Sequence, residues 1–203
     1  MKKIVCFGDS ITEMGNMTEL HGYVAQLSDR YARKADVLSR GFSGYTTREA
    51  VQLLDEAVLK ENPDIVVLFF GANDSVMPGQ IQHVPLEEYR QHLKAMASRI
   101  ATAGAWLVLV TPPPVDEARV KNRKLENTTA YAHACLKLGQ QMNVPVANLF
   151  DEIQWVADWK KKCLSDGLHL SADGMNCLYT CLAKALDSIC PFNRLERLGL
   201  KGM

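Results

Sequence analysis

The chain has 203 residues, of which 47% are hydrophobic, and its 23 basic and 23 acidic side chains balance to a net charge of zero. A chain of this length buries roughly 70% of its unfolded surface, so one α/β domain can fold without disulfides or metal ions. The balanced charge offers no basic surface to a nucleic-acid backbone or an anionic membrane, which argues against nucleic-acid partners.

Signals for export and membrane insertion are weak. No segment approaches 18 consecutive apolar residues, and the first apolar run, residues 4–7, is too short for a secretory signal. We therefore expect a cytoplasmic protein without an integral membrane segment. Its oligomeric state, including a homo-oligomer, is left open.

The cysteines indicate packing and not a disulfide framework or a metal site. There are six, with no CxxC pair, and they lie in segments that look like core elements. Cys177 and Cys181 lie one helical turn apart, but no further zinc-like ligand accompanies them. A packed helix face is the better interpretation, and we expect no metal.

Apolar runs rich in β-branched residues alternate with segments of helical periodicity. Strands are predicted at residues 3–7, 36–40, 64–70, 105–110 and 144–149, and helices at 21–34, 46–60, 86–103, 124–142 and 172–188. Near-continuous hydrophobicity is typical of strands covered on both faces, and helical crossovers of this length impose parallel strands. The pattern predicts a three-layer α/β/α sandwich with a five-stranded parallel sheet in the flavodoxin-like order 2-1-3-4-5. We expect one domain over residues 1–203, with the tail from about residue 191 at its periphery.

Ligands of such sheets bind at the carboxyl ends of the strands, so the loops that follow the strands are the first candidates. In IVCFGDSITEMG, residues 4–15, Ser10 follows the first strand in a turn eased by Gly8. A serine in this position can be an exposed nucleophile. Capping of the next segment by Asp9 or Ser10 explains the same residues equally well.

A serine nucleophile requires a histidine base, and the histidine requires a carboxylate that fixes its tautomer. In SDGLHLSADG, His169 stands three residues after Asp166, in a loop before a helix capped by Ser171. The carboxylate of Asp166 can reach Nδ1 and leave Nε2 for a partner. Two alternatives stay open: an Asx turn formed by Asp166 alone, and Asp173 as the carboxylate partner. Four histidines lie in helical or loop segments without such a carboxylate: His21, His83, His92 and His133.

Four sequence blocks carry a family resemblance. They are GDSIT at 8–12, RGFSGYTTR at 40–48, GANDS at 71–75 and DGLHLS at 166–171. In this order they resemble the blocks of the GDSL/SGNH hydrolase superfamily over almost the whole chain. Together with TPPPV at 111–115, they are most similar to the isoamyl acetate-hydrolysing esterase branch. Arg40 departs from the superfamily, many members of which carry asparagine at this position.

The resemblance implies roles for individual residues. Ser10 matches the nucleophile, His169 the base and Asp166 the residue that orients the base. The backbone N–H groups of Ser10 and Gly44 and the side-chain amide of Asn73 match the oxyanion donors. Gly44 and Asn73 also have simpler explanations, a positive φ angle and a cap, respectively.

The acidic and apolar neighbours of these residues receive other roles. Asp9 and Asp74 are assigned to hydrogen bonds within their loops and not to proton transfer. Met14, Phe42 and Met77 lie in the same loops and are candidates for an apolar wall beside an acyl or alcohol group, with ordinary packing as the other explanation.

The resemblance therefore implies a serine hydrolase that cleaves small, short-acyl carboxylic esters through an acyl-enzyme, without a cofactor. Carbohydrate O-deacetylation, thioester cleavage and lysophospholipid cleavage use the same machinery and remain open. Three other hypotheses are weaker: phosphoryl transfer on Asp9 with help from Thr12, a flavin-binding module that uses the loop SITEMGNMT, and a noncatalytic interaction protein. Ile11 stands where phosphoryl-transfer sites usually carry a second aspartate, which argues against the first of these.

Overall fold

A parallel sheet organises the computed structural model, which describes residues 1–189. The five strands found there are arranged in the order β2-β1-β3-β4-β5, which confirms the predicted topology. They are β1 (Lys2–Gly8), β2 (Ala35–Gly41), β3 (Ile65–Phe69), β4 (Trp106–Val110) and β5 (Val146–Ala147). Residues 190–203, which include the predicted peripheral tail, lie outside the described part.

Helices fill the connections between the strands. They are α1 (Ser10–Glu13), α2 (Tyr23–Arg30), α3 (Thr47–Ala57), α4 (Leu86–Thr102), α5 (Leu125–Met142), α6 (Leu149–Gln154), α7 (Trp159–Lys162) and α8 (Ala172–Ile189). Short 3₁₀ turns occur at Met14–Asn16, Thr18–Leu20 and Leu59–Glu61. Five helices correspond to the predicted ones, whereas α1, α6 and α7 were missed because four to six residues are too few to show a periodic pattern.

Two predicted elements were too long. The strand predicted at 144–149 is reduced to Val146–Ala147, because the side chain of Asn148 accepts the N–H of Asp151 and starts α6 there. The helix predicted at 21–34 ends at Arg30, and the chain turns through Arg33 with a positive φ of 66°. In both cases local hydrogen bonding and backbone turns ended an element that the apolar pattern alone would continue.

Side chains of each strand point alternately into two apolar layers. In β1, Ile4 and Cys6 contact the layer formed with α2 and α8, while Val5 and Phe7 contact the layer formed with α3, α4 and α5. All four side chains are completely buried. Burial on both faces explains the continuous hydrophobic runs, since each such side chain contributes about 1.5–3 kcal/mol by leaving water.

The register of the sheet brings three loops together at the carboxyl ends of the strands. Gly8 at the end of β1 pairs with Gly41 of β2 and with Phe69 of β3. Gly41 also lies against α1, where an added Cβ would stand 2.0 Å from the backbone nitrogen of Glu13. The loops that contain Ser10, Gly44 and Asn73 therefore start from neighbouring positions.

The described cysteines are mostly core residues. Cys6, Cys135, Cys163 and Cys181 are buried and Cys177 is half-buried, with Cys181 in the layer between α8 and the sheet. Among residues 1–189, no three histidine, cysteine or acidic side chains come together as a metal-binding group. Within the same range, no helix combines the length and the hydropathy needed to cross a membrane.

Candidate active site

Ser10 is the first residue of α1, directly after β1. The side chain of Asp9 caps this helix by accepting the backbone N–H of Ile11 at 2.9 Å, and the Asp9 carbonyl accepts the N–H groups of Thr12 and Glu13. Asp9 is therefore the cap, which leaves the hydroxyl of Ser10 free for another partner. The Ser10 side chain is half-buried at the edge of the sheet.

That partner is His169, in the loop before α8. Nε2 of His169 lies 2.9 Å from Oγ of Ser10, and Nδ1 lies 2.6 Å from Oδ2 of Asp166. The other carboxylate oxygen of Asp166 accepts the backbone N–H groups of Leu168 and His169 at 2.9 and 2.8 Å. Asp166 thus forms the Asx-type turn and holds the imidazole at the same time, so the two explanations of this residue are compatible.

The hydrogen bonds at Asp166 keep its carboxylate ionised. Burial opposes the charge, but the bonds from the His169 ring and from two backbone N–H groups outweigh it and lower the pKa of Asp166 to about 2. The carboxylate therefore carries its charge at any pH at which His169 can act as a base.

The remaining acidic and histidine candidates lie elsewhere. Asp173 is exposed in the first turn of α8, where a negative charge favours the helix dipole. His83 bonds the carbonyl of Val76 through Nδ1 at 2.7 Å, and His92 lies 3.1 Å from the hydroxyl of Thr47. The side chains of His21 and His133 are exposed.

The loop after β2 is tied to α1 and presents Gly44. The N–H of Phe42 donates to the carbonyl of Gly8 at 2.9 Å, and the N–H of Ser43 donates to the carboxylate of Glu13 at 2.8 Å. A turn closed by Tyr45 and Phe42 places Gly44 at a φ of +80°, which favours glycine. Among residues 1–189, no protein acceptor faces the N–H of Gly44 or that of Ser10.

Asn73 is held from both sides of its amide. Its Nδ2 donates to the carbonyl of Tyr45 at 2.9 Å, and its Oδ1 accepts from the guanidinium of Arg123 at 3.1 Å. The Asn73 side chain links the loop after β3 to the loop that presents Gly44. Only one of the two Nδ2 hydrogens is used by this bond.

Arg123 was missed by the sequence analysis. It lies in the loop between β4 and α5 and is only 5% exposed, whereas its neighbours Asn122 and Lys124 are exposed. The segment KNRKLE reads as a solvated, basic helix start, and nothing in it marks one cation as buried. Arg40, at which the sequence departs from the superfamily, points away from this site and pairs with Glu61 at 2.5 Å.

Two buried carboxyl groups lie behind the site. Burial raises the pKa of Asp9 to about 7, and the nearby carboxyl of Asp74 adds to the rise, whereas the hydrogen bond from Ile11 and the charge of Arg123 oppose it. Burial likewise raises the pKa of Asp74 to about 6, although its Oδ1 accepts the N–H and the hydroxyl of Thr47. In the described part of the chain, the second oxygen of each carboxyl has no hydrogen-bond partner. Both residues hold their loops together, as their assignment to loop hydrogen bonds anticipates.

The three apolar candidates are all half-buried. Met14 packs against the α2 and α8 layer, and Phe42 packs edge-on against Phe7 at 6.0 Å between ring centroids and stacks on Tyr45. The backbone N–H of Met77 donates to the carbonyl of Asn122. Packing therefore accounts for part of the Met14 and Phe42 side chains, and all three residues keep part of their surface open.

Comparison with known proteins identifies the family to which this chain belongs. Residues 6–177 match the model of the GDSL-like lipase/acylhydrolase family. A GDSL esterase/lipase of Arabidopsis thaliana is 38% identical over 210 residues, which cover 91% of this chain and 86% of the relative. The isoamyl acetate-hydrolyzing esterase 1 homolog of Mus musculus is 38% identical over 204 residues, which cover 91% of this chain and 81% of the relative. A crystal structure of the lipase/acylhydrolase from Enterococcus faecalis superimposes with a TM-score of 0.80 at 28% identity, covering 93% of this chain and 97% of the other.

The fold and the family match define a hydrolase of the GDSL/SGNH type. The chain belongs to the GDSL-like lipase/acylhydrolase family, and it is a carboxylic ester hydrolase. This confirms the resemblance drawn from the four sequence blocks.

Proposed function

We propose that this enzyme hydrolyses small, short-acyl carboxylic esters through an acyl-enzyme formed on Ser10. The observation that carries the proposal is the continuous hydrogen-bonded series from Ser10 Oγ through the His169 ring to Asp166, with heavy-atom distances of 2.9 and 2.6 Å. Nucleophile, base and orienting carboxylate in this order are the arrangement that activates a serine.

The steps follow from the geometry. Ser10 Oγ attacks the ester carbonyl while Nε2 of His169 takes its proton, and the carboxylate of Asp166 stabilises the imidazolium. His169 then gives the proton to the leaving alcohol, and the acyl group stays on Ser10. Water attacks the acyl-enzyme with His169 again as base, and the carboxylic acid leaves as Ser10 regains its proton.

Three donors are assigned to the oxyanion. They are the N–H groups of Ser10 and Gly44, which lack protein acceptors in the described residues, and the second hydrogen on Nδ2 of Asn73. All three lie on loops that leave adjacent strands at one edge of the sheet. Loss of one oxyanion donor typically lowers turnover by roughly 10²- to 10³-fold.

The proposed site is open at the protein surface. The side chain of His169 is 27% exposed and that of Asp166 is 56% exposed, so the reacting atoms lie near the surface. Met14, Phe42 and Met77 would supply a short apolar wall for the acyl or alcohol group. The mouse relative is named for hydrolysis of isoamyl acetate, an acetyl ester, which supports short-acyl preference here.

Ser10 is a better nucleophile candidate than Asp9. The carboxyl of Asp9 is 1% exposed and caps α1, whereas the hydroxyl of Ser10 contacts a base. Membership of an ester hydrolase family likewise favours hydrolysis over a flavin-binding role.

The test compares Ser10→Ala with wild type on p-nitrophenyl esters of two, four and eight acyl carbons. We expect Ser10→Ala to lose at least about 10³-fold in kcat while the melting temperature stays close to that of wild type. Ser28→Ala is the matched control, because its hydroxyl donates to the carbonyl of Val24 within α2, away from the site. Wild type should prefer the acetyl ester. Undiminished turnover in Ser10→Ala would falsify the nucleophile assignment, and a preference for the octanoyl ester would contradict the short-acyl assignment.

A further inference from the structure

A buried guanidinium lies directly behind the proposed oxyanion donor Asn73. Arg123 is 5% exposed, and its fork donates to the carbonyl of Ala72 and to Oδ1 of Asn73. The N–H of Met77 donates to the carbonyl of Asn122, one residue before Arg123, at 3.0 Å. The loop after β3 is therefore clamped to the loop before α5 on both sides of Asn73.

These contacts determine which way the Asn73 amide faces. Arg123 has only donors, so the atom facing it must be the amide oxygen, and the carbonyl of Tyr45 accepts only, so the atom facing it must be the nitrogen. A flipped amide would put two donors together at Arg123 and two acceptors together at Tyr45. Arg123 and the Tyr45 carbonyl together select this orientation, which leaves the second hydrogen of Nδ2 for an oxyanion.

The charge of Arg123 is not neutralised by an ion pair. Among residues 1–189, no carboxylate lies within ion-pair distance of its guanidinium. Burial lowers the pKa of Arg123, while the more distant charges of Asp9 and Asp166 act in the opposite direction. Arginine nevertheless stays protonated in proteins, so a buried cation contacts the amide oxygen of Asn73.

We propose that Arg123 is a positioning residue for ester hydrolysis, which orients the Asn73 amide and polarises it as an oxyanion donor. A cation on the carbonyl side of an amide withdraws electron density from its nitrogen and makes its N–H a stronger donor. This contribution is greatest when negative charge develops on the substrate oxygen, so it lowers the barrier more than it strengthens substrate binding. The inference rests on the proposed function, since it assigns to Arg123 an effect on the donor group of that site.

The experiment is a double-mutant cycle on p-nitrophenyl acetate with Arg123→Met, Asn73→Ala and the double variant. We expect Arg123→Met to lower kcat by roughly 10- to 100-fold with KM changed less than about threefold. Because Arg123 acts through Asn73, the kcat of the double variant should lie within about threefold of the kcat of Asn73→Ala alone. Arg99→Met is the control, since Arg99 also donates to a backbone carbonyl, that of Val51, but lies between α3 and α4.

The cycle separates the possible failures. If the losses of Arg123→Met and Asn73→Ala multiply, Arg123 does not act through Asn73 and the proposal is wrong. In a parallel cycle with Asp166→Asn, the losses of kcat in the two single variants should multiply. Strong coupling in that cycle would mean that Arg123 acts on the Asp166–His169 pair and would overturn the proposal. Activity retained in Ser10→Ala would reject the proposed function itself, which the coupling of Arg123 to Asn73 does not test.

A conservative variant guards against loss of folding. Arg123→Lys keeps the charge and one donor, so we expect its kcat to be at least about tenfold higher than that of Arg123→Met. If the methionine variant does not fold, Arg123→Gln takes its place in this comparison. Equal activity of the lysine and glutamine variants would overturn the polarisation by charge. Circular dichroism and melting temperature of each variant identify those that are folded.

Discussion

Oγ of Ser10 lies 2.9 Å from Nε2 of His169, although 159 positions separate the two residues in the chain. Ser10 starts α1 directly after the interior strand β1, and His169 lies in the loop that leads into α8. Helix α8 packs beside α2 in the apolar layer on one face of the sheet, and this packing delivers the loop to the strand edge. The contact therefore depends on the whole order of the fold.

Asp166→Asn should separate the two acidic candidates for orienting His169. The Oδ1 position must still accept two backbone N–H groups, so the new amide nitrogen faces Nδ1 of His169. Nδ1 must then accept a hydrogen bond, Nε2 carries the proton, and His169 loses its capacity to deprotonate Ser10. We expect kcat for p-nitrophenyl acetate to fall by roughly 10³-fold or more. Asp173→Asn should change kcat less than about twofold, and the reverse ranking would assign the role to Asp173.

Asp9→Asn should change how stability depends on pH. The folded-state pKa of Asp9 is about 7, above its ordinary value of 3.8, so the folded protein holds a proton there that the unfolded chain releases. Its contribution to stability is complete below pH 3.8 and is lost as pH rises through about 7. The melting temperature of wild type should therefore fall between pH 5 and pH 8, and that of Asp9→Asn should fall less.

The melting temperature of the Asp9→Asn variant should still fall somewhat with rising pH, because burial also raises the pKa of Asp74, to about 6. Asp173→Asn serves as the control and should keep the wild-type slope, since Asp173 is exposed. Identical slopes in wild type and Asp9→Asn, measured by thermal melts in matched buffers, would contradict the assignment of a buried, protonated Asp9.

Gly41→Ala should damage both stability and activity. The new Cβ would lie 2.0 Å from the backbone nitrogen of Glu13, so α1 has to move away from β2 and takes Ser10 with it. We expect a loss of about 3 kcal/mol in the free energy of unfolding, at the upper end of the range typical of overpacked cores, together with reduced kcat. Urea titration and ester hydrolysis measure the two effects.

Gly104→Ala is the matched control for that substitution. Gly104 has a positive φ of 81° but nothing within 4 Å of an added Cβ, so only backbone strain of about 1 kcal/mol is expected. Equal losses in the two variants would show that contact with α1 is not what requires glycine at position 41.

Glu13→Ala should weaken the loop that carries Gly44. The exposed carboxylate of Glu13 accepts the N–H of Ser43 at 2.8 Å and is the side-chain link from α1 to that loop. Its removal should lower kcat by roughly tenfold with little change in melting temperature, because Gly44, a proposed oxyanion donor, loses its fixed position. Glu19→Ala, an exposed acidic residue nearby in the chain, should leave kcat unchanged. No loss of kcat in Glu13→Ala would mean that the turn at Phe42 and Tyr45 holds Gly44 by itself.

Much of the architecture could be predicted because its signals are local. Buried parallel strands require continuous apolar runs, and the long helices show an apolar stripe on the buried face. The strand order was therefore predicted correctly, and the ends of α4 and α5 lie within one residue of the predicted ends. β5 and α2 were overestimated because a side-chain cap at Asn148 and a left-handed turn at Arg33 stop elements without changing the apolar pattern. The candidate site was predicted through short motifs, whose residue types reflect the chemistry.

The supporting residues of the site could not be predicted in the same way. Arg123 stands in an exposed, basic segment and Glu13 in a short helix, and neither carries a motif. Each acquires its role only when another loop approaches, that of Asn73 in one case and that of Ser43 in the other.

The order of apolar and amphipathic segments by itself determined the layers of this protein, because hydrophobic burial and helical crossovers act through patterns that a linear chain displays. The motifs also determined which residue types are available for acyl transfer. Only the tertiary structure decided that Asp9 caps α1 beneath Ser10, that Asp166 and not Asp173 reaches His169, and that the charge of Arg123 is buried behind Asn73. Hydrogen bonds and charges act over a few ångströms in space, and that distance is set by the packing of segments remote in sequence.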